Sequence, residues 1–289
     1  MKRAILTLII ILGLLMSYLI MNEVILKNHI FVKETYVYSE QLPDTFDGVR
    51  VVQFSDALIS SEDDLVLLEN LHTTLDEIKP DIIIFTGDLF AVSDISTSIQ
   101  AKATELLSSL QPSIAKIAVL GDLDLPRDYE TTYKQLGTSS PNEDNAVASA
   151  AHDVLTASQF TILKNERINL YHHSDEFITI TGLTPLSTHT DTLVNALVKE
   201  EDTFSMLLMH EPTLAPFFLP KEIDLQLSGH CLGTAIHDDE HQTCAQYPAG
   251  TYHFADQLTL HVNEGLQPQV SSQNFFFGPT IHSFLLLKK

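Results

Sequence analysis

Lys79-Pro80-Asp81-Ile82-Ile83-Ile84-Phe85-Thr86-Gly87-Asp88-Leu89 is the stretch whose reading decides the fold. Pro80 ends any helix that precedes it. Ile82 to Phe85 is an unbroken apolar run, the pattern of a strand covered on both faces. Thr86-Gly87-Asp88 then turns the chain and sets a carboxylate at the strand's carboxyl end. Ligands of α/β folds are bound at such ends.

Four more stretches repeat this arrangement. Val49 to Phe54 leads into Ser55-Asp56-Ala57-Leu58, and Ile117 to Leu120 into Gly121-Asp122-Leu123-Asp124. Phe204 to Met209 leads into His210-Glu211-Pro212, and Leu225 to Ser228 into Gly229-His230-Cys231-Leu232-Gly233. Between the early strands, Leu65, Leu68, Leu71, Leu75 and Ile78 recur at helical steps, predicting an amphipathic helix over Asp63 to Ile78. Ile95, Ile99, Ala103, Leu106, Leu107 and Leu110 predict a second. Further strands are expected at Phe160–Leu163, Phe177–Thr181, Thr251–Phe254, Leu258–Val262 and Ser283–Leu287. Helical crossovers dominate early and strands late, so the expected class is α/β: two β-sheets packed face to face with helices outside. The polar stretch Asp128 to Asp153 reads as an irregular excursion, either a plain surface loop or a flap over the site.

Lys2-Arg3 precede a nearly unbroken apolar run from Ala4 to Met21. About 18 such residues just span a bilayer core, and no small-residue cleavage site follows. The expectation is a retained transmembrane helix at residues 1–22, a stalk and entry strand at 23–47, and one domain over 48–289. The basic pair marks a cytoplasmic N-terminus, which places the domain outside the cytoplasm, on the cell membrane as a single-pass protein. The membrane is therefore the expected partner, through the N-terminal helix, and the sequence names no protein partner for or against. The formal net charge of -22 argues against nucleic-acid binding, because such a surface repels phosphate backbones. Cys231 and Cys244 are compatible with a local disulfide, with two free thiols, or with a zinc site completed by His237 and His241.

Taken singly, Asp88 reads as a turn residue or helix cap and His210 as a satisfied core histidine. Taken in order, the five loops resemble the calcineurin-like metallophosphoesterase family, in particular its membrane-associated bacterial members. The family pattern runs D-x-H, G-D, G-N-H-D/E, H and G-H-x-H. The resemblance extends from about Pro43 to the C-terminus and includes Lys79 to Leu89, His210-Glu211-Pro212 and Gly250-Thr251-Tyr252. It implies a four-layer sandwich and a two-metal hydrolytic site. By position it makes Asp56 a ligand of the first metal and Asp88 the bridging carboxylate. Asp122 stands for an asparagine ligand of the second metal, with His210 and His230 as that metal's histidines.

Three positions depart from the pattern. Leu58 and Leu232 stand where the first metal has histidines, and Leu123 where a histidine assists the leaving group. Leucine neither coordinates a metal nor moves a proton. The expectation is one divalent ion (Zn, Mn or Fe) held by Asp88, Asp122, His210 and His230, beside an apolar wall. A second site at Asp56 would be too poor in ligands. Hydrolysis is expected to be weak or absent, the alternative being an active single-metal phosphoesterase acting on an extracytoplasmic lipid or envelope precursor. Asp56, left beside leucines, needs a partner such as Ser55 or a loop amide. His172, His173, His189, His261 and His282 lie outside the loops and read as surface or packing residues.

Overall fold

The computed structural model describes residues 2–20, 28–92, 94–125, 149–184, 203–221, 223–232, 244, 246–254, 258–267 and 278–289. Two six-stranded mixed sheets pack face to face. The first comprises β1 (Phe31–Ser39), β2 (Arg50–Phe54), β3 (Ile82–Phe85), β4 (Ala115–Ala118), β5 (Thr161–Ile162) and β12 (Thr280–Lys288), in the order β1-β12-β2-β3-β4-β5. The second comprises β6 (Glu166–Tyr171), β7 (Phe177–Leu183), β8 (Ser205–Met209), β9 (Leu225–Ser228), β10 (Gly250–Phe254) and β11 (Leu258–Val262), in the order β10-β11-β9-β8-β7-β6. β2, β3, β4 and β5 run parallel, as do β7, β8, β9 and β11. Their carboxyl ends therefore deliver the loops quoted above to one region.

Side-chain alternation divides the core. Val51, Ile82, Ile84, Ile117, Ile180, Met206, Leu227 and Phe284 fill the space between the sheets. Val52, Phe54, Ile83 and Phe85 face the other way, onto α2 (Leu65–Ile78), α3 (Thr97–Ser108) and α4 (Ala150–Ala157). Leu207, Leu260 and Val262 line the outer face of the second sheet, against Phe218 and the Cys231–Cys244 disulfide. Among the described residues this face is covered by the short 3-10 segment Ala215–Lys221 rather than by an α-helix.

Several expectations shift. The entry segment is built into the sheet: β1 pairs with β12 along its whole length. β4 ends two residues before the apolar run does, because Val119 and Leu120 already lead into the Gly121 loop while staying fully buried. The excursion ends in a helix at Ala150, capped by Ser149 Oγ accepting from His152 N (3.2 Å) and anchored by Ala151, Val154 and Leu155. The rest of that stretch, read as either a plain surface loop or a flap, lies outside the described residues, which stop at 125 and resume at 149. α1 (Lys2–Ile20) is a 19-residue helix that leaves Ile9, Leu14 and Met16 more than half exposed. Among the described residues no helix is long and apolar enough to cross a membrane.

Candidate metal centre

Past the ends of β2 and β3 the two loops stay hydrogen-bonded. Asp56 N donates to Gly87 O (2.9 Å), Leu58 N to Asp88 O (3.2 Å) and Ile59 N to Leu89 O (2.9 Å). The path requires left-handed backbone at non-glycine residues: φ is 51° at Asp56, 45° at Leu58, 61° at Asp88, 72° at His230 and 44° at Leu232. Such residues cost of order 1 kcal/mol or more, least for short polar side chains. Leucine has no polar group to favour this conformation, so Leu58 and Leu232 occupy it because the surrounding loops dictate it.

Two glycines allow the loops to close. Gly87 has φ +101°, and a Cβ there would lie 2.6 Å from Gly121 N and from His210 Nδ1. A Cβ on Gly121 would overlap the Asp88 carboxylate. Asp124, 1% exposed, ties the same turn together. Its Oδ2 accepts from Asp88 N (2.8 Å) and Gly121 N (2.9 Å), and its Oδ1 accepts from Leu89 N (2.9 Å). Burial and the nearby Asp88 charge push the Asp124 carboxyl up to about 7, against the pull of those amides.

Ligand atoms of Asp88, Asp122, His210 and His230 converge within 4.8 Å of one another. His210 is fully buried, and its Nδ1 lies 2.6 Å from Thr86 O. A carbonyl only accepts, so Nδ1 carries the proton and Nε2 faces the cage. Nε2 sits 3.2 Å from Asp88 Oδ2 and 3.3 Å from Asp122 Oδ1. Despite that proximity it has no hydrogen-bond partner. Asp122 Oδ1 also lies 3.1 Å from His230 Nδ1. Two donors each about 2.1 Å from a shared ion stand about 3.0 to 3.4 Å apart at octahedral or tetrahedral angles. The observed spacings and the orphaned Nε2 fit that requirement.

Electrostatics agree. Burial alone would lower the pKa of His210, but Asp88, Asp122 and Asp56 outweigh it and raise it well above the ordinary value. Burial likewise opposes ionisation of Asp122, yet the adjacent His210 and His230 imidazoles hold its carboxyl well below the usual range. The cage is built to hold positive charge.

The opposite pole differs. Asp56 stands 3.9 Å from His210 Nε2 and outside the group of four. Its Oδ2 accepts from Ser55 Oγ and from His230 N (3.2 Å), so both kinds of partner expected from the sequence are present. Burial pushes its carboxyl up to about 6, moderated by His210. Leu232 packs near it: a Cβ on Gly265 would lie 3.0 Å from both Asp56 Cβ and Leu232 Cδ2. Leu58 is half-buried, and Leu123 is 45% exposed while its amide donates to Asp88 Oδ1 (3.0 Å).

Two contributors carry no role assigned from sequence. Asp124 occupies the last position of the G-N-H-D/E pattern, which was the available signal. Glu211 follows His210, is buried with an unpartnered Oε2, and has its carboxyl raised by burial, only partly offset by His210 and His230. Cys231, next to His230, is disulfide-bonded to Cys244, which removes both thiols from any zinc site; His237 and His241 lie outside the described residues. His172 and His173 sit at the β6–β7 turn, and His189 lies outside the described residues. His261 and His282 are buried between the sheets and not on the surface.

The family model "Calcineurin-like phosphoesterase" matches residues 49–231. The uncharacterized metallophosphoesterase YkuE of Bacillus subtilis (strain 168) is 30% identical over 262 residues, covering 88% of this chain and 84% of that one. The UDP-2,3-diacylglucosamine pyrophosphatase LpxG of Chlamydia muridarum (strain MoPn / Nigg) is 24% identical over 226 residues, 68% of each chain. Among solved structures, GAP50, the anchor in the inner membrane complex of Plasmodium, aligns over 81% of this chain and 80% of its own, with a TM-score of 0.43 and 13% identity.

Proposed function

The chain belongs to the calcineurin-like phosphoesterase family, and from that premise we propose that it is a membrane-associated member that keeps one metal pole and hydrolyses phosphoesters weakly or not at all. One observation carries the reading. The orphaned His210 Nε2 faces Asp88 and Asp122, while Leu58, Leu123 and Leu232 occupy the family's remaining histidine positions. Asp88, Asp122, His210 and His230 would hold the ion. When bound, a divalent ion supplies Lewis-acid polarisation of a phosphoryl oxygen and of water.

The chain's own residues limit the chemistry of the cage. Asp124 and Gly121 fix Asp88, and Thr86 O fixes the His210 tautomer. Leu123 offers the leaving group no proton, which removes help typically worth 10²–10⁴-fold. The test is hydrolysis of an aryl phosphodiester with Mn²⁺ by the full chain. Near-blank rates support the reading, and robust turnover that vanishes in His210→Ala overturns it.

A second reading, an active single-metal phosphoesterase, is favoured by one feature: the Asp122 side chain is 34% exposed, so the cage is open to a ligand. Its substrate class would be an extracytoplasmic phosphomonoester or phosphodiester of a lipid or envelope precursor, in keeping with the pyrophosphatase among the relatives. Two features support placement at the outer side of a membrane. They are the exposed apolar surface of α1 and the disulfide, which persists in oxidising compartments. Alkaline extraction and protease accessibility of intact cells test this; release into the soluble fraction would contradict it.

A further inference from the structure

Toward the same end of the sandwich the space between the sheets turns polar. His261 on β11 and His282 on β12 reach into it from opposite sheets, with ring centroids 3.9 Å apart. Glu264, in the loop after β11, joins them, and one ligand atom from each of the three lies within 4.8 Å of the others. All three residues are buried: His261 is 1% exposed, His282 5% and Glu264 6%.

Each side chain has one polar atom engaged and one without a partner. His261 Nδ1 lies 2.9 Å from Thr251 Oγ1, leaving Nε2 orphaned. His282 Nε2 lies 2.7 Å from Thr35 Oγ1, leaving Nδ1 orphaned. Glu264 Oε1 accepts from Lys33 Nζ (2.5 Å), leaving Oε2 orphaned. Buried polar atoms without partners are rare, and three in one cluster call for something to fill their valence. Two imidazoles fixed by hydroxyl groups, each with a free second nitrogen, plus a carboxylate oxygen, form the arrangement by which proteins orient metal-binding histidines.

We propose that His261, His282 and Glu264 form a second divalent-metal site, separate from the Asp88–His210 cage and selective for an imidazole-preferring ion such as Zn²⁺. Phe284 packs on both rings at 5.1 and 4.6 Å and closes the site on its apolar side. The ion staples the two sheets at the end that carries the motif loops. Glu264 is followed by Gly265, the residue packed against Asp56 and Leu232, and by Leu266, whose amide donates to Ser55 O (2.9 Å). The site is therefore structural and independent of whether the cage hydrolyses anything.

The test uses the full chain carrying Asp88→Asn and His210→Gln, which disables the cage. After zinc loading and dialysis, this variant is expected to retain about one zinc per chain and to melt at higher temperature with zinc than with chelator. Adding His261→Gln and His282→Gln should remove that ion and the zinc-dependent shift. A folded cage variant without zinc overturns the proposal, as does a zinc that survives the histidine substitutions. Should the variants not fold, zinc-edge anomalous density in crystals of the unsubstituted chain decides: a peak between His261 and His282 supports the site, and its absence overturns it. Failure of the cage reading would register separately, as zinc content unchanged by Asp88→Asn and His210→Gln.

Discussion

Replacing Gly121 by alanine should damage the cage as well as the fold. A Cβ at this position would overlap Asp88 Oδ1 and lie 2.7 Å from Asp88 Cγ and from Asp88 N, where ordinary contact begins at 3.4 Å. Asp88 Cγ must therefore move by about 0.7 Å and Oδ1 by about 1.4 Å to regain ordinary contact, which disturbs the spacing to His210 Nε2 at 3.2 Å and to the Leu123 amide at 3.0 Å. Overpacking costs about 1–3 kcal/mol and a lost hydrogen bond about 1 kcal/mol, so destabilisation of about 2–4 kcal/mol is expected. A displacement near 1 Å in a preorganised site is worth about 10²-fold, so Mn²⁺ affinity should fall by about that factor. Gly182→Ala is the control. Its Cβ would overlap Leu163 and lie 2.9 Å from Val119 Cγ1, away from the cage. It should destabilise comparably and leave Mn²⁺ binding unchanged. Thermal melts with calorimetric Mn²⁺ titration measure both quantities. A Gly121→Ala protein that binds Mn²⁺ like the parent would refute the assignment of Asp88, since that carboxylate is the group the new Cβ displaces.

Three further outcomes are expected. Leu58→His, Leu123→His and Leu232→His together should raise aryl phosphodiester turnover with Mn²⁺ by at least about 10²-fold. Stability should change little, because the backbone at Leu58 and Leu232 already has the positive φ that histidine tolerates better; no gain in rate would mean the scaffold has lost more than these side chains. Cys231→Ser with Cys244→Ser opens a loop of sequence separation 13 and should cost about 3 kcal/mol in denaturant melts, with Mn²⁺ affinity falling because His230 adjoins Cys231; unchanged melting would contradict a structural role for the bridge. The His282 pKa, pushed down to about 4 by burial and then by Lys33, stands below its unfolded value of 6.5. The unfolded chain therefore binds more protons between those values, so stability is retained above pH 6.5 and lost as pH falls toward 4, by about 3 kcal/mol for this residue. Urea melts in chelator at several pH values should show a shallower acid loss in His282→Gln, and an equal loss would refute this cause.

Apolar continuity made the central strands legible: Ile82–Phe85 and Leu225–Ser228 fall where their residues predict. It was less informative where burial and pairing part company. Val119 and Leu120 are buried without extending β4, because burial reflects the space between layers and not the hydrogen-bond ladder. β6 escaped notice because an edge strand with the sequence Glu166-Arg167-Ile168-Asn169-Leu170-Tyr171 buries little and carries no apolar run. α4 was hidden by the polar stretch before it, although Ser149 is an ordinary N-cap. For the cage, motif order named the side chains that meet, since each follows a strand whose direction the fold dictates. The His261–Glu264–His282 cluster was not legible. Its rings come from different sheets, and only the packing of β11 against β12 across the sandwich brings them together.

The central claim is that one pole of the family's site binds metal and the other does not. Anomalous diffraction from crystals of the full chain grown with Mn²⁺ tests it most directly. The account predicts a single manganese peak at the motif loops, bounded by Asp88, Asp122, His210 and His230, with no density on the side of Asp56, Leu58 and Leu232. Two manganese peaks at these loops, or none between Asp88 and His210, would contradict it.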